Sequence, residues 1–532
     1  MDTRARNPFA SKAMVASPHS LASEVGASIL KRGGNAFDAA VAVSAALGVV
    51  YPHMTGIGGD AFFMLYKAGA GELVGYNGTG RAATAAHRDA FAARGLSAIP
   101  SRGPLSAVTV PGMVDAWWEV WMTGGRLPWA EVLAPAVQYA EEGFPVSSNL
   151  REWLVRDEAH IRSCEVMANV YLAGGQVPEA GDRLVQGDLA ETLRVLQIGG
   201  RQVFYRGSLA RRIAAGIRAD GALLAEEDLA MHRGEWTTPI RTSYRGCEIC
   251  QMPPNSQGFS ALIMMNLLER YEVKAIPRHS ADFYHLMAEV TKLAFEDRDA
   301  YLTDPAFADI PLERLLSKTY AAERMKRISM TRAEPSSLSA SGQDTAYAAI
   351  VDEEGNCASF IQSLYFDFGS CYMPAGTGVI LQNRGSYFSL DASHVNTLQP
   401  SKRTFHTLMP AMVLRDGLPY ALLGTQGGEG QPQTQLSLLT GLLDYGCTIE
   451  EAIGLPRWVY GRTWGQDSDS LKIEGRIEET ELESLRSRGH TVEVLQAWDG
   501  VMGQAQGIVI DRARGALYGA ADPRGDGAAI GW

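Results

Sequence analysis

Apolar residues recur three and four apart through most of residues 113–300. The segments Met113 to Met122, Trp129 to Glu142, Asp188 to Ile198, Leu209 to Asp220, Phe259 to Tyr271 and Ala281 to Tyr301 all carry this spacing and are predicted to be helices. Ahead of them, Asn35 is placed to cap a small-residue helix that runs to Val50 and stops at Tyr51-Pro52, with Asp38 in its first turn. The glycine turn Gly56 to Asp60 leads into a strand, Ala61 to Tyr66. Ser329 to Gln343 is serine-rich and poor in apolar residues, and reads as an exposed linker. Beyond it the pattern changes to strands, at Thr345 to Asp352, Cys357 to Tyr365, Gly378 to Gln382, Ala411 to Arg415 and Tyr420 to Leu423. A second glycine turn, Gly424 to Gly430, precedes a helix from about Gln433 to Asp444. No internal repeat is visible.

Composition narrows the class. The 532 residues are 46% hydrophobic and 20% charged, which excludes wholesale disorder. The length suggests roughly two to four domains, or one large two-part unit. A net charge of −12 lacks the basic footprint of a nucleic-acid binder and the basic amphipathic segment of a membrane-surface protein. The longest apolar stretch, Ala39 to Tyr51, is short of the roughly 18 residues a bilayer span needs. The segment from Met1 to Pro8 has no apolar signal core, so a cytoplasmic location is expected. Six cysteines fit a reducing compartment, and Cys247 and Cys250 read as ordinary strand cysteines, since no second pair completes a metal site.

Several chemistries are missing. There is no G-x-S-x-G elbow, no phosphate-binding loop and no H-E-x-x-H. Asp467-Ser-Asp469 begins like a calcium loop but lacks the required glycine, and reads as a solvated acidic loop. No metal or organic cofactor is expected.

One constellation stands out at Asp344-Thr345, where the linker meets a strand. A hydroxyl residue after a flexible segment can attack the preceding carbonyl and release a new N-terminus. Thr345 would then hold both nucleophile and base, because a free α-amine titrates near 7.7–8.0. Acyl transfer also needs donors for a developing oxyanion. Gly427 and Gly428, just before a helix, offer backbone N–H groups in that helix's positive field, although a glycine pair can equally be only a turn.

At these residues the sequence resembles the γ-glutamyltransferase family of N-terminal-nucleophile hydrolases. The likeness runs through Met14-Val-Ala-Ser17, Gly33 to Ala40, Gly56 to Gly59, Val110 to Met113 and Met252 to Ser256. It continues with His285-Leu-Met-Ala-Glu289, Asp297-Arg298, Asp304-Pro305, Asp344-Thr345, Asp352 with Gly355-Asn356, Phe368-Gly369, Gly427-Gly428 and Ala521 to Arg524. The resemblance implies an α+β fold, a four-layer αββα sandwich, made as a proenzyme. It implies self-cleavage between Asp344 and Thr345 into a helix-rich large subunit, 1–344, ending in the flexible linker 329–344, and a strand-rich small subunit, 345–532. The two would remain a heterodimer, with a dimer of heterodimers left open, and with neither nucleic acid nor membrane as partner. Thr345 matches the catalytic threonine, Ser363 an assisting hydroxyl, and Gly427 and Gly428 the oxyanion glycines.

The groups that would hold a glutamyl moiety depart from the family pattern. The family's arginine aligns near Gly78-Thr79, with Arg81 close by. Tyr365 replaces an asparagine, Asn383 to Phe388 replaces a segment carrying two aspartates, and Phe405 to Leu408 replaces a Ser-Ser-Met segment. The carboxylate expected to bind an α-ammonium is absent, and Arg384 stands in its place beside Tyr365, Tyr387, His406 and Thr407. A guanidinium there favours a bare carboxylate, unless Arg384 is used up in an internal ion pair. The pattern of Gln382 to Gly385 with Phe405 to Leu408 is similar to the oxamate amidohydrolase branch, which would place the enzyme in purine-nitrogen salvage. A γ-glutamyltransferase or hydrolase acting on glutathione or related amides is the alternative. A non-catalytic member of the family is the third reading.

Overall fold

The computed structural model describes residues 9–172, 174–335, 345–461 and 468–532. Asp344, most of the linker, Asp467 and the first eight residues therefore lie outside the described chain.

Two seven-stranded antiparallel sheets stack face to face, with helices on both outer faces. The first sheet runs Ala528–Gly531, Met14–Ser17, Ala346–Val351, Cys357–Ser363, Asp60–Lys67, Glu72–Gly78 and Glu235–Thr237. The second runs Phe9–Ala10, Ala516–Ala521, Ala505–Asp511, Leu418–Thr425, Ala411–Arg415, Cys247–Gln251 and Ile240–Tyr244. This is the expected four-layer αββα sandwich.

The period of two explains how the central strands serve two cores at once. In Ala346–Val351, Tyr347, Ala349 and Val351 face the other sheet, while Ala346, Ala348 and Ile350 face the helices. Both faces are buried, so the strand is apolar throughout rather than alternating with polar residues. The inner core packs Phe62, Met64, Tyr347 and Ile361 against Met252, Met412, Leu422 and Ile508.

The helix Ala36–Val50 is buried at every position, which its small residues permit. Its start is a full capping box: Asn35 accepts from the Asp38 amide, and Asp38 accepts from the Asn35 amide. On the opposite outer face lie Gly258–Leu268, Ala281–Tyr301 and Gln431–Leu443. Cys247 and Cys250 are free, buried strand residues. Among the described residues no helix is long and apolar enough to cross a membrane.

Three sequence expectations need correction. Gly378 to Gln382 forms no sheet strand. Gly378 sits at φ +65°, and the segment touches strand-like pairing only at Leu381 opposite Gly58, its other amides being taken by loops. The first part of the linker is also not free. Residues 329–335 are tied down by hydrogen bonds to buried side chains, which composition does not reveal. The segment ahead of residue 344 is richer in strands than its helical periodicity suggests, for it contributes to both sheets.

Gly424 lies against Tyr347 of the facing sheet, and an added Cβ would come within 2.2 Å of the Tyr347 ring. Overpacking of this kind costs about 1–3 kcal/mol. Gly424→Ala should therefore lower the thermal melting temperature by several degrees; an unchanged melting curve would show that the sheets can separate locally without cost.

Candidate active site

Strand register assembles the site. Ala346 pairs with Gln362, so one further step places Thr345 opposite Ser363, and Ser363 pairs in turn with Asp60 on the next strand. Three oxygen-bearing side chains thus sit in a row at the ends of three neighbouring strands. All three residues are buried.

The second sheet delivers the other half. The strand Leu418–Thr425 ends one residue before Gln426, and the chain turns through Gly427 at φ +119° and Gly428 at φ +51°. These are left-handed conformations that glycine adopts without strain. The helix Gln431–Leu443 starts immediately after this turn, and Gln431 Nε2 donates to Thr345 Oγ1 at 3.2 Å. The threonine hydroxyl therefore lies against the helix N-terminal turn that carries the glycine pair.

Hydrogen bonds continue from the turn around the site. Gln257 Nε2 donates to the carbonyls of Gly428 and Thr407, at 3.0 and 2.8 Å. Arg384 spans the remaining gap, donating to Thr407 Oγ1 and to Ser363 Oγ, each at 3.3 Å. Ser363 Oγ also accepts from the Tyr365 amide at 2.6 Å. Thr345, Gly428, Thr407, Arg384 and Ser363 are thereby brought into one ring of contacts.

Arg384 is 1% exposed. Its guanidinium lies 4.3 Å from the centre of the Tyr365 ring and 5.7 Å from that of Tyr387, and those two rings stack at 4.5 Å. Tyr365 takes φ +88°, a conformation costly for a residue with a side chain, and holds its ring beside the guanidinium. Among the described residues Arg384 meets hydroxyls rather than a carboxylate, and its Nε has no hydrogen-bond partner. Burial pushes its pKa down. Among the described residues the internal ion pair considered from sequence is not formed.

Asp60 and His406 lie behind this arrangement. Asp60 Oδ1 accepts from the amides of Gly80 and Gly112 and from Gln382 Nε2, at 3.0–3.1 Å. Its Oδ2 is 3.4 Å from His406 Nε2. Burial, and secondarily the Arg384 charge, holds His406 well below the ordinary imidazole range, so it is neutral. His406 therefore backs the site beside Asp60 and packs edge-on to Phe62, instead of lining it with Thr407.

This architecture can be set beside known proteins. The sequence model described as Gamma-glutamyltranspeptidase matches residues 22–532. The chain belongs to the γ-glutamyltranspeptidase family. Within that family it is 51% identical over 526 residues to the Glutathione hydrolase-like YwrD proenzyme of Bacillus subtilis, covering 99% of each chain. It is 39% identical over 525 residues to the Oxamate amidohydrolase proenzyme of Klebsiella pneumoniae, covering 98% of each. The solved cephalosporin acylase from Bacillus halodurans has the same fold, with a TM-score of 0.93 at 37% identity, covering 100% of this chain and 98% of that one.

Two nearby side chains engage other partners. Arg81 pairs with Glu235 at 2.5 Å near the surface. Asn383 accepts from the Phe366 amide and donates to the Ser101 carbonyl, so it braces a turn and does not reach Thr345. Asp60, Gln257 and Gln431 are the site neighbours that sequence reasoning passed over. Asp60 closes the glycine turn already marked at Gly56 to Gly59, and Gln431 lies three residues after Gly428; both were within reach of that signal. Gln257 carried no comparable signal.

One cluster has metal-ligand types. His285, Glu289 and His490 place their donor atoms within 4.8 Å of one another. Their donors are already engaged: Lys292 Nζ lies 2.7 Å from Glu289 Oε1, and the imidazoles hydrogen-bond to each other at 2.7 Å.

Asp60 yields a pH prediction. Burial pushes its pKa up to about 6, against Gln382, Arg384 and two amides that favour the charge. The native state keeps a proton that the unfolded chain releases near 3.8, so this contribution to stability is present below that pH and is lost as pH rises through 6. The size is roughly 3 kcal/mol. Denaturant unfolding of wild type and Asp60→Asn from pH 4 to 6.5 should show wild type losing stability relative to the variant as pH rises. Parallel curves would mean that Asp60 ionises normally in the fold.

Proposed function

We propose that this chain is a self-cleaving threonine amidohydrolase acting on a small amide that carries a carboxylate, with oxamate as the best candidate. The observation that carries the reading is Arg384, a buried guanidinium beside the stacked Tyr365 and Tyr387 rings that, among the described residues, hydrogen-bonds to hydroxyls. A buried cation is costly unless an anion meets it, and a planar guanidinium matches a carboxylate with two parallel hydrogen bonds.

In the maturation step, Thr345 Oγ attacks the Asp344 carbonyl, the peptide C–N bond breaks, and water hydrolyses the resulting ester. Asp344 becomes a carboxylate terminus and Thr345 gains a free amine, giving subunits 1–344 and 345–532. In turnover, that amine takes the Thr345 hydroxyl proton while Oγ attacks the amide carbon of the substrate. Gly427 and Gly428 donate to the oxyanion, and Arg384 with Thr407 holds the substrate carboxylate. Collapse breaks the C–N bond, the amine returns its proton, and ammonia leaves. Water then releases oxalate from the threonine ester. Ser363, opposite Thr345 in the sheet, is assigned to orient the amine, while Tyr365 and Tyr387 limit the size of the site and His406 supports it from behind.

A second reading, hydrolysis of glutathione or another γ-glutamyl amide, is favoured by the 51% identity to the Glutathione hydrolase-like YwrD proenzyme of Bacillus subtilis. Ammonia release from oxamate, with a chromogenic γ-glutamyl anilide as comparator, separates the two. Turnover of oxamate alone is the expected result; turnover of the anilide alone would transfer the assignment to the γ-glutamyl reading.

Two substitutions test the residues. Thr345→Ala should leave a single 57.5 kDa chain with no amidase activity, and the appearance of two fragments on a denaturing gel would refute self-cleavage. Arg384→Ala should raise KM for oxamate by roughly 10–150-fold, the equivalent of about 1.5–3 kcal/mol for a charged hydrogen bond. An unchanged KM would remove Arg384 from substrate binding.

A further inference from the structure

The helix Ala281–Tyr301 carries His285, Glu289 and Lys292 on one side, and none of them reaches the ring around Thr345. All three hold the backbone of the segment that leads toward the cleavage junction. His285 Nε2 donates to the Ser329 carbonyl at 2.6 Å. Glu289 Oε2 accepts from the Glu334 amide at 3.1 Å, and Lys292 Nζ donates to the Glu334 carbonyl at 2.8 Å. One peptide-bearing residue is thus gripped at both its donor and its acceptor by an oppositely charged buried pair.

The other side of the grip comes from beyond residue 345. The Ala333 amide donates to the Arg488 carbonyl at 2.8 Å, and Arg488 donates through Nη1 to the Met330 carbonyl at 3.2 Å. His490 Nε2 lies 2.7 Å from His285 Nδ1. Because His285 Nε2 must carry a proton to donate to Ser329, its Nδ1 is the acceptor and His490 the donor. Both imidazoles are neutral in that arrangement, and burial lowers the pKa of each. Lys292 supplies the positive charge that a metal would otherwise bring to Glu289.

We propose that His285, Glu289 and Lys292, together with Arg488 and His490, form a clasp that fixes residues 329–335 and so anchors the chain nine residues before the Asp344–Thr345 junction. The clasp rests on the self-cleavage reading above. Its logic is orientation. The Asp344 carbonyl is bonded to the Thr345 nitrogen and is always near Thr345 Oγ, so an upstream anchor acts by limiting the directions in which that carbonyl faces, favouring the one open to attack. After cleavage the same contacts would keep the new C-terminal tail pinned along the seam between the two pieces. These are positioning residues, since none touches the reacting atoms.

The test uses the full chain. A paired substitution, Glu289→Gln with Lys292→Met, removes the charges together and avoids stranding either one. Arg488→Met removes the donor to the Met330 carbonyl on the other side of the grip and leaves His285, Glu289 and Lys292 unchanged. Lys292→Arg is the conservative control. Two rates are read: first-order loss of precursor after synthesis, and tryptic cutting after Arg332 in the mature protein. The expected result is precursor loss slowed at least tenfold and tryptic cutting accelerated at least tenfold in both disabled variants, with Lys292→Arg near wild type and kcat of the matured enzyme unchanged. Precursor loss within twofold of wild type in the disabled variants overturns the proposal, whether or not tryptic cutting accelerates. Slow maturation without faster tryptic cutting also overturns it, because the segment would then be held by something else. If mass spectrometry finds no cut before Thr345 in wild type, the self-cleavage reading itself fails and the clasp's role falls with it, an outcome distinct from the other two.

Discussion

The Tyr347 ring lies across Gly424, and this contact sets how closely the two central sheets approach. The Tyr347 hydroxyl meets Ser359 Oγ at 2.8 Å, and Ser359 Oγ donates to the Ala411 carbonyl of the other sheet at 2.9 Å. A ring, a missing Cβ and a bridging serine therefore tie the layers together near the middle of both sheets. Thr345 lies two residues from Tyr347, and Gly427 three from Gly424. The spacing of the layers is therefore also the spacing between the candidate nucleophile and the glycine turn that faces it.

Burial then determines the chemistry of the pocket. Arg384, Asp60 and His406 are all removed from water, and each is pushed toward its neutral form by desolvation. Arginine resists neutralisation most strongly, so its charge is the dominant fixed feature of the region. Two tyrosine faces and two hydroxyls offset that charge only in part. The polar cluster Asp60, Gln382 and His406 is held by backbone groups of Gly80, Gly112, Val110 and Leu408 as well as by its own members, and it backs the site.

Local signals were legible where local physics decides. Met113–Met122, Trp129–Glu142 and Ala281–Tyr301 have the ends their apolar spacing predicts, and Asn35 caps its helix through its own side chain. Long-range pairing left no such trace. Nothing near Ser363 announces that Asp60 will lie beside it, because a strand's partner is chosen by the whole sheet. Gly378 to Gln382 looked like a strand because its residues are extended and apolar, yet no neighbouring strand offers it a ladder. Ser329 to Pro335 has few apolar residues and several exposed side chains, yet its backbone is held by the fold, which composition does not reveal. Arg384 was conspicuous as a charge in an unexpected place; its contact with the Tyr365 ring depends on the left-handed turn at Tyr365, which the residue type does not suggest.

The interleaving of strands has a consequence for assembly. Ala346–Val351 lies between Met14–Ser17 and Cys357–Ser363, and Ala411–Arg415 pairs with Cys247–Gln251. A break at residue 344 would leave two polypeptides whose strands alternate within the same two sheets. Such a pair has no dissociated folded state to return to, so dilution alone would not separate it. Parting the chains would require melting both sheets. The bond lost at the junction would be chemically irreversible and mechanically almost unnoticed, like a seam cut in cloth that has already been woven through.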